Sequence, residues 1–100
     1  MNLKELEYIV RISEEKNVTH AANKLFISPS ALNQQLLRLE RELGTQLFYR
    51  SRSGWIPTPA GELYLETART LLFMKKQAYQ RMQDVAEIQR GTLNVGLTPG

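Results

Sequence analysis

Residues 26–44 read FISPSALNQQLLRLERELG, and the fold turns on them. A Ser-Pro pair lies near the start, no further Pro or Gly follows until Gly44, and the first charge is Arg38. Ser28 is a good N-cap, because its hydroxyl accepts from one of the first unpaired helical N–H groups. Pro29 suits the first helical position, where its missing N–H costs nothing. Gly44 suits the residue that closes the helix. The pattern predicts a helix over residues 29–43. At about 100° per residue, Leu32, Leu36, Leu39 and Leu43 share a narrow arc and are expected to face a core. Ser30, Gln34, Leu37 and Arg41 fall opposite, flanked by Asn33 and Arg38. The exposed front is therefore Ser30, Asn33 and Gln34, which is polar and uncharged.

The preceding residues supply what this helix packs on. Leu3, Leu6, Ile9, Val10 and Ser13 recur at helical spacing and predict an amphipathic helix over residues 3–15. EEKNVT breaks it. Thr19 is the expected N-cap of a short second helix, HAANKLF, with Ala21, Ala22 and Leu25 on its buried side. Only Ile27 and Ser28 then separate it from the third. A short helix, a tight turn and a longer helix make a helix-turn-helix pattern over residues 18–37 or so.

The following residues change texture. QLFYRSRSGWIPT is aromatic and β-branched on both sides of the turn cluster Ser51-Arg52-Ser53-Gly54, which predicts a short hairpin. Pro57 confines its second strand to an edge. Thr58-Pro59 repeats the cap-then-proline device, and no other Pro follows until Pro99. A long helix is expected over residues 59–90, stopped by Gly91. TLNVGL then alternates like a strand.

Composition narrows the function. With no Cys there is no disulfide framework and no thiolate metal site. His20 is the only His and has no ligand partner at metal spacing. The acids mostly neighbour Lys or Arg on helix faces, as solvated ion pairs do, and no carboxylate pair suggests general acid–base chemistry. No enzyme, no metal and no cofactor is expected in this chain. No run of residues is apolar enough to span a membrane, and from the opening residues no signal peptide is expected. The formal net charge of +3 mildly favours an anionic partner.

The polar helix front fits such a partner. Asn and Gln pair bidentately with adenine in a major groove, Ser can donate or accept, and a helix N-terminus suits a phosphate. On an isolated helix these residues are most often plain solvated surface; the helix and tight turn before them shift the reading toward base recognition. Between Glu42 and Glu62 there is no acid, while Arg50 and Arg52 are present. Arg52, at the turn, can reach a minor groove or a phosphate. Trp55, beside Phe48 and Ile56, is expected to pack.

The run THAANKLFISPSALNQQLLRLERELGTQLFYRSRSGWIPTPAGELYLETA resembles the N-terminal winged helix-turn-helix of LysR-type transcriptional regulators. The resemblance is carried by Thr19, Ala21-Ala22, Leu25, Ser28, Ala31-Leu32, Leu39-Glu40, Leu43-Gly44, Leu47-Phe48, Arg50, Thr58, Ala60-Gly61 and Ala68. It implies a mainly α winged helix-turn-helix domain over residues 1–58 and a linker helix over 59–90 that pairs with a second subunit. Residues 91–100 look like the start of the family's effector domain. It further implies a bacterial cytoplasmic regulator that binds double-stranded DNA as a homodimer. Higher oligomers and a small-molecule effector are implied for full-length members. Pro29, Ser30, Asn33 and Gln34 fall at the family's base-reading positions. Thr19, His20, Ser28, Arg38, Arg50, Arg52 and Ser53 fall near backbone or wing contacts, the wing being residues 49–56. The chain departs where it matters for sequence preference. Pro29-Ser30 stands for the usual Gln-Pro, Asn33-Gln34 for the usual Ser-Arg, and Leu37 for a commonly polar residue, where it can meet a thymine methyl or, as is expected here, pack on a neighbouring element. Ser53 stands where a second wing arginine is frequent.

The long helix carries two apolar rows: Tyr64, Ala68, Leu71, Ala78, Met82 and Val85, and beside them Leu65, Leu72, Tyr79 and Ala86. A domain this small is not expected to cover both, which predicts a helix partner. The alternative class is a helical protein-interaction module that uses this helix and does not bind DNA.

Overall fold

The computed structural model describes residues 2–90. Its elements run α1 Leu3–Glu15, α2 Val18–Leu25, α3 Pro29–Leu43, β1 Phe48–Tyr49, β2 Ile56–Pro57 and α4 Pro59–Gln89. The Gly91 stop and the strand-like residues after it lie outside the described residues. β1 and β2 pair antiparallel, with Phe48 opposite Pro57 and Tyr49 opposite Ile56. The fold is therefore mainly helical, a winged helix-turn-helix followed by a long helix.

Each helix starts on a side-chain cap. Asn2, Asn17, Ser28 and Thr58 accept from the backbone N–H of Glu5, His20, Ala31 and Gly61 at 2.8–3.0 Å. Asn17 replaces the expected Thr19 as the cap of α2, so the helix begins at Val18 and Thr19 lies inside its first turn. Asn is at least as good a cap as Thr, and the earlier start places Val18 in the core. The same helix ends at Leu25. Phe26, expected within it, turns left-handed at φ 59° and is 94% exposed.

The core draws one side from every helix. Leu6, Ile9 and Ile12 of α1, Ala21 and Ala22 of α2, Leu32, Leu36 and Leu39 of α3, and Tyr64, Leu65 and Ala68 of α4 are buried around Leu47 and Phe48. The helix phase assigned to α3 holds for three of its four leucines. Leu43 departs from it, at 45% exposed. Its azimuth is right, but it lies in the last turn, one residue before left-handed Gly44, where the helix outruns the core. Leu25 is half-buried against the cluster, and Trp55 packs there with its ring tilted on Phe48, centroids 6.1 Å apart.

The segment joining α3 to the wing is tied down at Leu47. Its carbonyl accepts from the Thr58 N–H at 3.0 Å, and the Thr58 hydroxyl donates to the Gln46 carbonyl at 2.7 Å. Gly61 lies directly against Leu47; a Cβ there would collide with the Leu47 carbonyl. That close approach is why the first turn of α4 carries a glycine despite its cost to a helix.

The tyrosine of this core, Tyr64, has a buried hydroxyl with no hydrogen-bond partner among the described residues. Burial, and secondarily the Glu5 carboxylate, push its pKa up from 10.0 to about 12. The folded state thus holds this proton more tightly than the unfolded state does.

Two outcomes are expected. Leu36→Ala should cost about 2–5 kcal/mol in thermal or chemical melts, as buried leucines do, while Leu43→Ala should stay within about 0.5 kcal/mol. Stability should also fall as pH rises from 10.0 toward about 12, because the proton held by Tyr64 is lost more easily from the unfolded chain. Tyr64→Phe should remove that part of the alkaline loss without weakening the fold at neutral pH, since the hydroxyl it deletes is unpaired.

Candidate nucleic-acid interface

The front of α3 emerges from the same residues that build the helix. Because Leu32, Leu36 and Leu39 turn inward, Ser30, Gln34, Leu37, Arg38 and Arg41 stay exposed, with Asn33 half-buried. Pro29 and Ala31 are exposed at the helix start. Three of the sequence-predicted base readers, Ser30, Asn33 and Gln34, thus share the open N-terminal half of one helix. Their side chains are absent from the hydrogen bonds formed among the described residues. Each Asn or Gln amide can donate twice and accept twice, so the surface is chemically able to read a base edge.

The expected backbone contacts separate into free and engaged groups. Arg38, Arg41 and Arg52 are exposed and pair with no carboxylate among the described residues. Arg52 and Ser53 occupy the wing turn, which Ser51 closes by donating to the Gly54 carbonyl at 2.7 Å. Gly54, at φ 140°, takes a conformation that suits glycine. Thr19 and His20 are exposed in the first turn of α2. The Ser28 oxygen accepts from the Ala31 N–H, which leaves its O–H free to donate elsewhere.

Arg50 is engaged differently. Its Nη2 donates to Oε1 of Glu40 at 2.7 Å, and its guanidinium lies over the Trp55 ring, 5.0 Å from the centroid. Glu40 is 7% exposed, and its other oxygen accepts from the Leu47 N–H at 2.7 Å. One carboxylate of α3 therefore holds both the strap before the wing and the first arginine after β1. In the sequence Glu40 stands out only as part of the Leu39-Glu40 match, with no sign of a pairing role. Its signal was an acid on the shoulder of the leucine arc, where a solvated residue does not belong.

The long helix divides along its length. Tyr64, Leu65 and Ala68, expected at a subunit interface, are 6%, 2% and 0% exposed within the single chain, and Leu71 and Leu72 are half-buried against the same core. Tyr64, Leu65 and Ala68 are closed to a partner, since this part of α4 packs on α1. Lys75 continues that seam, reaching Glu7 at 3.3 Å and lying over Tyr79 at 5.7 Å. Away from that seam the helix is mostly exposed. Ala78, Tyr79, Met82 and Val85 are exposed, as expected, and Leu63, Phe73, Met74 and Ile88 join them. Met74, Ala78, Met82 and Val85 lie at three- and four-residue steps along one face, beside the core-facing side. No helix among the described residues is long and apolar enough to cross a membrane, and they contain no cluster of residues able to hold a metal ion.

Comparison with known proteins agrees with this geometry. Residues 3–62 match the family described as bacterial regulatory helix-turn-helix protein, lysR family. The chain is 40% identical over 100 residues to the nitrogen assimilation regulatory protein nac of Klebsiella aerogenes, covering all of this chain and 33% of that protein. It is 39% identical over 98 residues to the HTH-type transcriptional regulator BudR of Klebsiella aerogenes, covering 98% of this chain and 68% of that sequence. The chain thus spans about a third of the length of nac. Among solved structures, the BenM DNA-binding domain in complex with catB site 1 DNA superimposes with a TM-score of 0.80 at 36% identity, over 86% of this chain and 97% of that one. The CbnR DNA-binding domain in complex with DNA gives 0.75 at 32%, over 86% and 99%.

The Glu40 junction makes a stability prediction. Glu40→Ala strands the Leu47 N–H and leaves Arg50 without its counter-charge, at a cost of about 2–4 kcal/mol in denaturant melts. Arg38→Ala, at an exposed and unpaired site, should change stability by less than about 0.5 kcal/mol.

Proposed function

The chain belongs to the lysR family of bacterial regulatory helix-turn-helix proteins, and on that premise we propose that it binds double-stranded DNA sequence-specifically to regulate transcription. Residues 1–58 form the DNA-binding unit, with α3 in the major groove and the wing at the neighbouring backbone or minor groove. Residues 59–90 form a linker helix. The observation that carries the reading is the polar front of α3, open in the single chain and backed by a leucine core. Pro29, Ser30, Asn33 and Gln34 meet base edges. His20, Thr19, Ser28, Arg38, Arg52 and Ser53 hold phosphates or the groove wall. Arg50 serves mainly by holding the wing on Glu40. The working form is a dimer joined through the bare stripe Met74, Ala78, Met82 and Val85. That stripe is apolar and exposed, and no other element among the described residues covers it. Reading helices held this way sit a whole number of DNA turns apart, so the sites are imperfectly palindromic.

The test is selection from a randomised duplex pool at two salt concentrations, with light scattering on the same samples. Asn33→Ala and Gln34→Ala should each relax preference at one or two positions per half-site, at about 1–3 kcal/mol per lost bidentate pair. Arg52→Ala should weaken binding to many sequences and flatten the salt slope by about one unit per lost phosphate contact. Arg50→Ala should weaken binding with the slope nearly unchanged. Met82→Lys should shift the dimer toward monomer. Unchanged base preferences in both Asn33→Ala and Gln34→Ala would defeat the assignment of α3. A chain that dimerises but selects no DNA would instead be an interaction module.

A further inference from the structure

The leucine on the outward face of α3 stands outside the hydrophobic core of the described residues. Leu37 is 39% exposed, whereas Leu32, Leu36 and Leu39 of the same helix are 0%, 0% and 4% exposed. It belongs neither to the buried cluster nor to the partly buried hydrophobics packed against it. Its companions on that face, Ser30, Gln34, Arg38 and Arg41, are polar and exposed. Packing within the described residues therefore leaves a sizeable part of this side chain open. An apolar side chain held in water amid polar ones gains only when something apolar covers it.

In a major groove the choice is narrow. The bases present donors and acceptors there, and one apolar feature, the thymine 5-methyl group. Leucine can neither donate nor accept, so the only base it can favour is the one that brings a methyl to it. Leu37 follows Gln34 by three residues, about 4.5 Å along the helix, which is close to one base step of about 3.4 Å. Resting on the DNA-binding reading above, we infer that Leu37 is a specificity-determining residue that selects thymine through its methyl group. The selected thymine lies at the step next to the one read by Gln34. The amides at the helix front read donors and acceptors, and Leu37 reads shape and apolarity one step deeper.

The experiment separates this inference from the reading it rests on. Wild type, Leu37→Ala and Leu37→Gln are used to select sites from a randomised duplex pool. In the wild-type site each thymine is then replaced in turn by deoxyuridine, which keeps the Watson–Crick edge and lacks only the methyl. Wild type should weaken about fourfold at one thymine per half-site, the size expected for one methyl group buried. Leu37→Ala should be indifferent to that same replacement, Leu37→Gln should lose the thymine preference there, and Asn33→Ala should keep the methyl response. Both Leu37 variants change an exposed residue, and their melts should match wild type. A selected site in which no thymine methyl matters overturns the inference and leaves DNA reading by Asn33 and Gln34 standing. So does a Leu37→Ala variant that keeps the full methyl response, or one that loses dimer stability with base preferences unchanged. If wild type selects no sequence at all, both readings fall together.

Discussion

A buried carboxylate must be paired, and Glu40 is paired by the two segments on which the wing depends. The desolvation of an ionised acid is costly enough that its partners are not optional. Here the partners are a backbone N–H from the strap that leaves α3 and a guanidinium from the far side of β1. Both are far from Glu40 along the wing path but meet it at 2.7 Å. The carboxylate therefore fixes where the hairpin can sit relative to α3. The Trp55 ring then closes over the guanidinium, adding apolar cover to the same pair. The two-residue strands of the wing are not stable alone, and this junction adds to the support that buried Phe48 and the bond from the Trp55 N–H to the Lys16 carbonyl give them.

The second junction is at Leu47, where the strap meets the start of α4. Thr58 performs two tasks there: its oxygen caps α4, and its hydroxyl hydrogen holds the Gln46 carbonyl. Gly61 allows the first turn of α4 to press against backbone rather than side chain. The early part of α4 is thus part of the globular core, and only its later part is free. This single helix contributes Tyr64, Leu65 and Ala68 to one hydrophobic cluster and leaves Met74, Met82 and Val85 outside it.

Much of this was legible in the residues, and the misreadings have physical causes. The leucine arc of α3 and its polar front followed from periodicity, and the two Ser/Thr-Pro starts followed from cap chemistry. Leu43 was misplaced because azimuth says nothing of how far a neighbouring element extends. Asn17 and Thr19 are both competent caps, and the choice depended on burying Val18, a tertiary effect. The rows on α4 were real, but periodicity cannot tell cover by α1 from cover by another subunit. Hence the rows alone point Tyr64, Leu65 and Ala68 toward a second subunit. Arg50 gave no local sign of its acceptor, which lies ten residues back on a different element.

The continuity of α4 has a mechanical side. From Phe73 to Gln89 the helix has no proline and no glycine, so it has no built-in joint over about 25 Å. Its base, through Gly61, Tyr64 and Ala68, is clamped against Leu47 and α1. A rod clamped at one end works as a lever: a tilt of about 5° at the base carries the far end about 2 Å, and a push at the far end is felt at the base as torque. The strap and the wing are bonded to that base. Whatever holds the outer turns of α4 therefore also sets the angle at which the wing is presented, with no moving hinge between them.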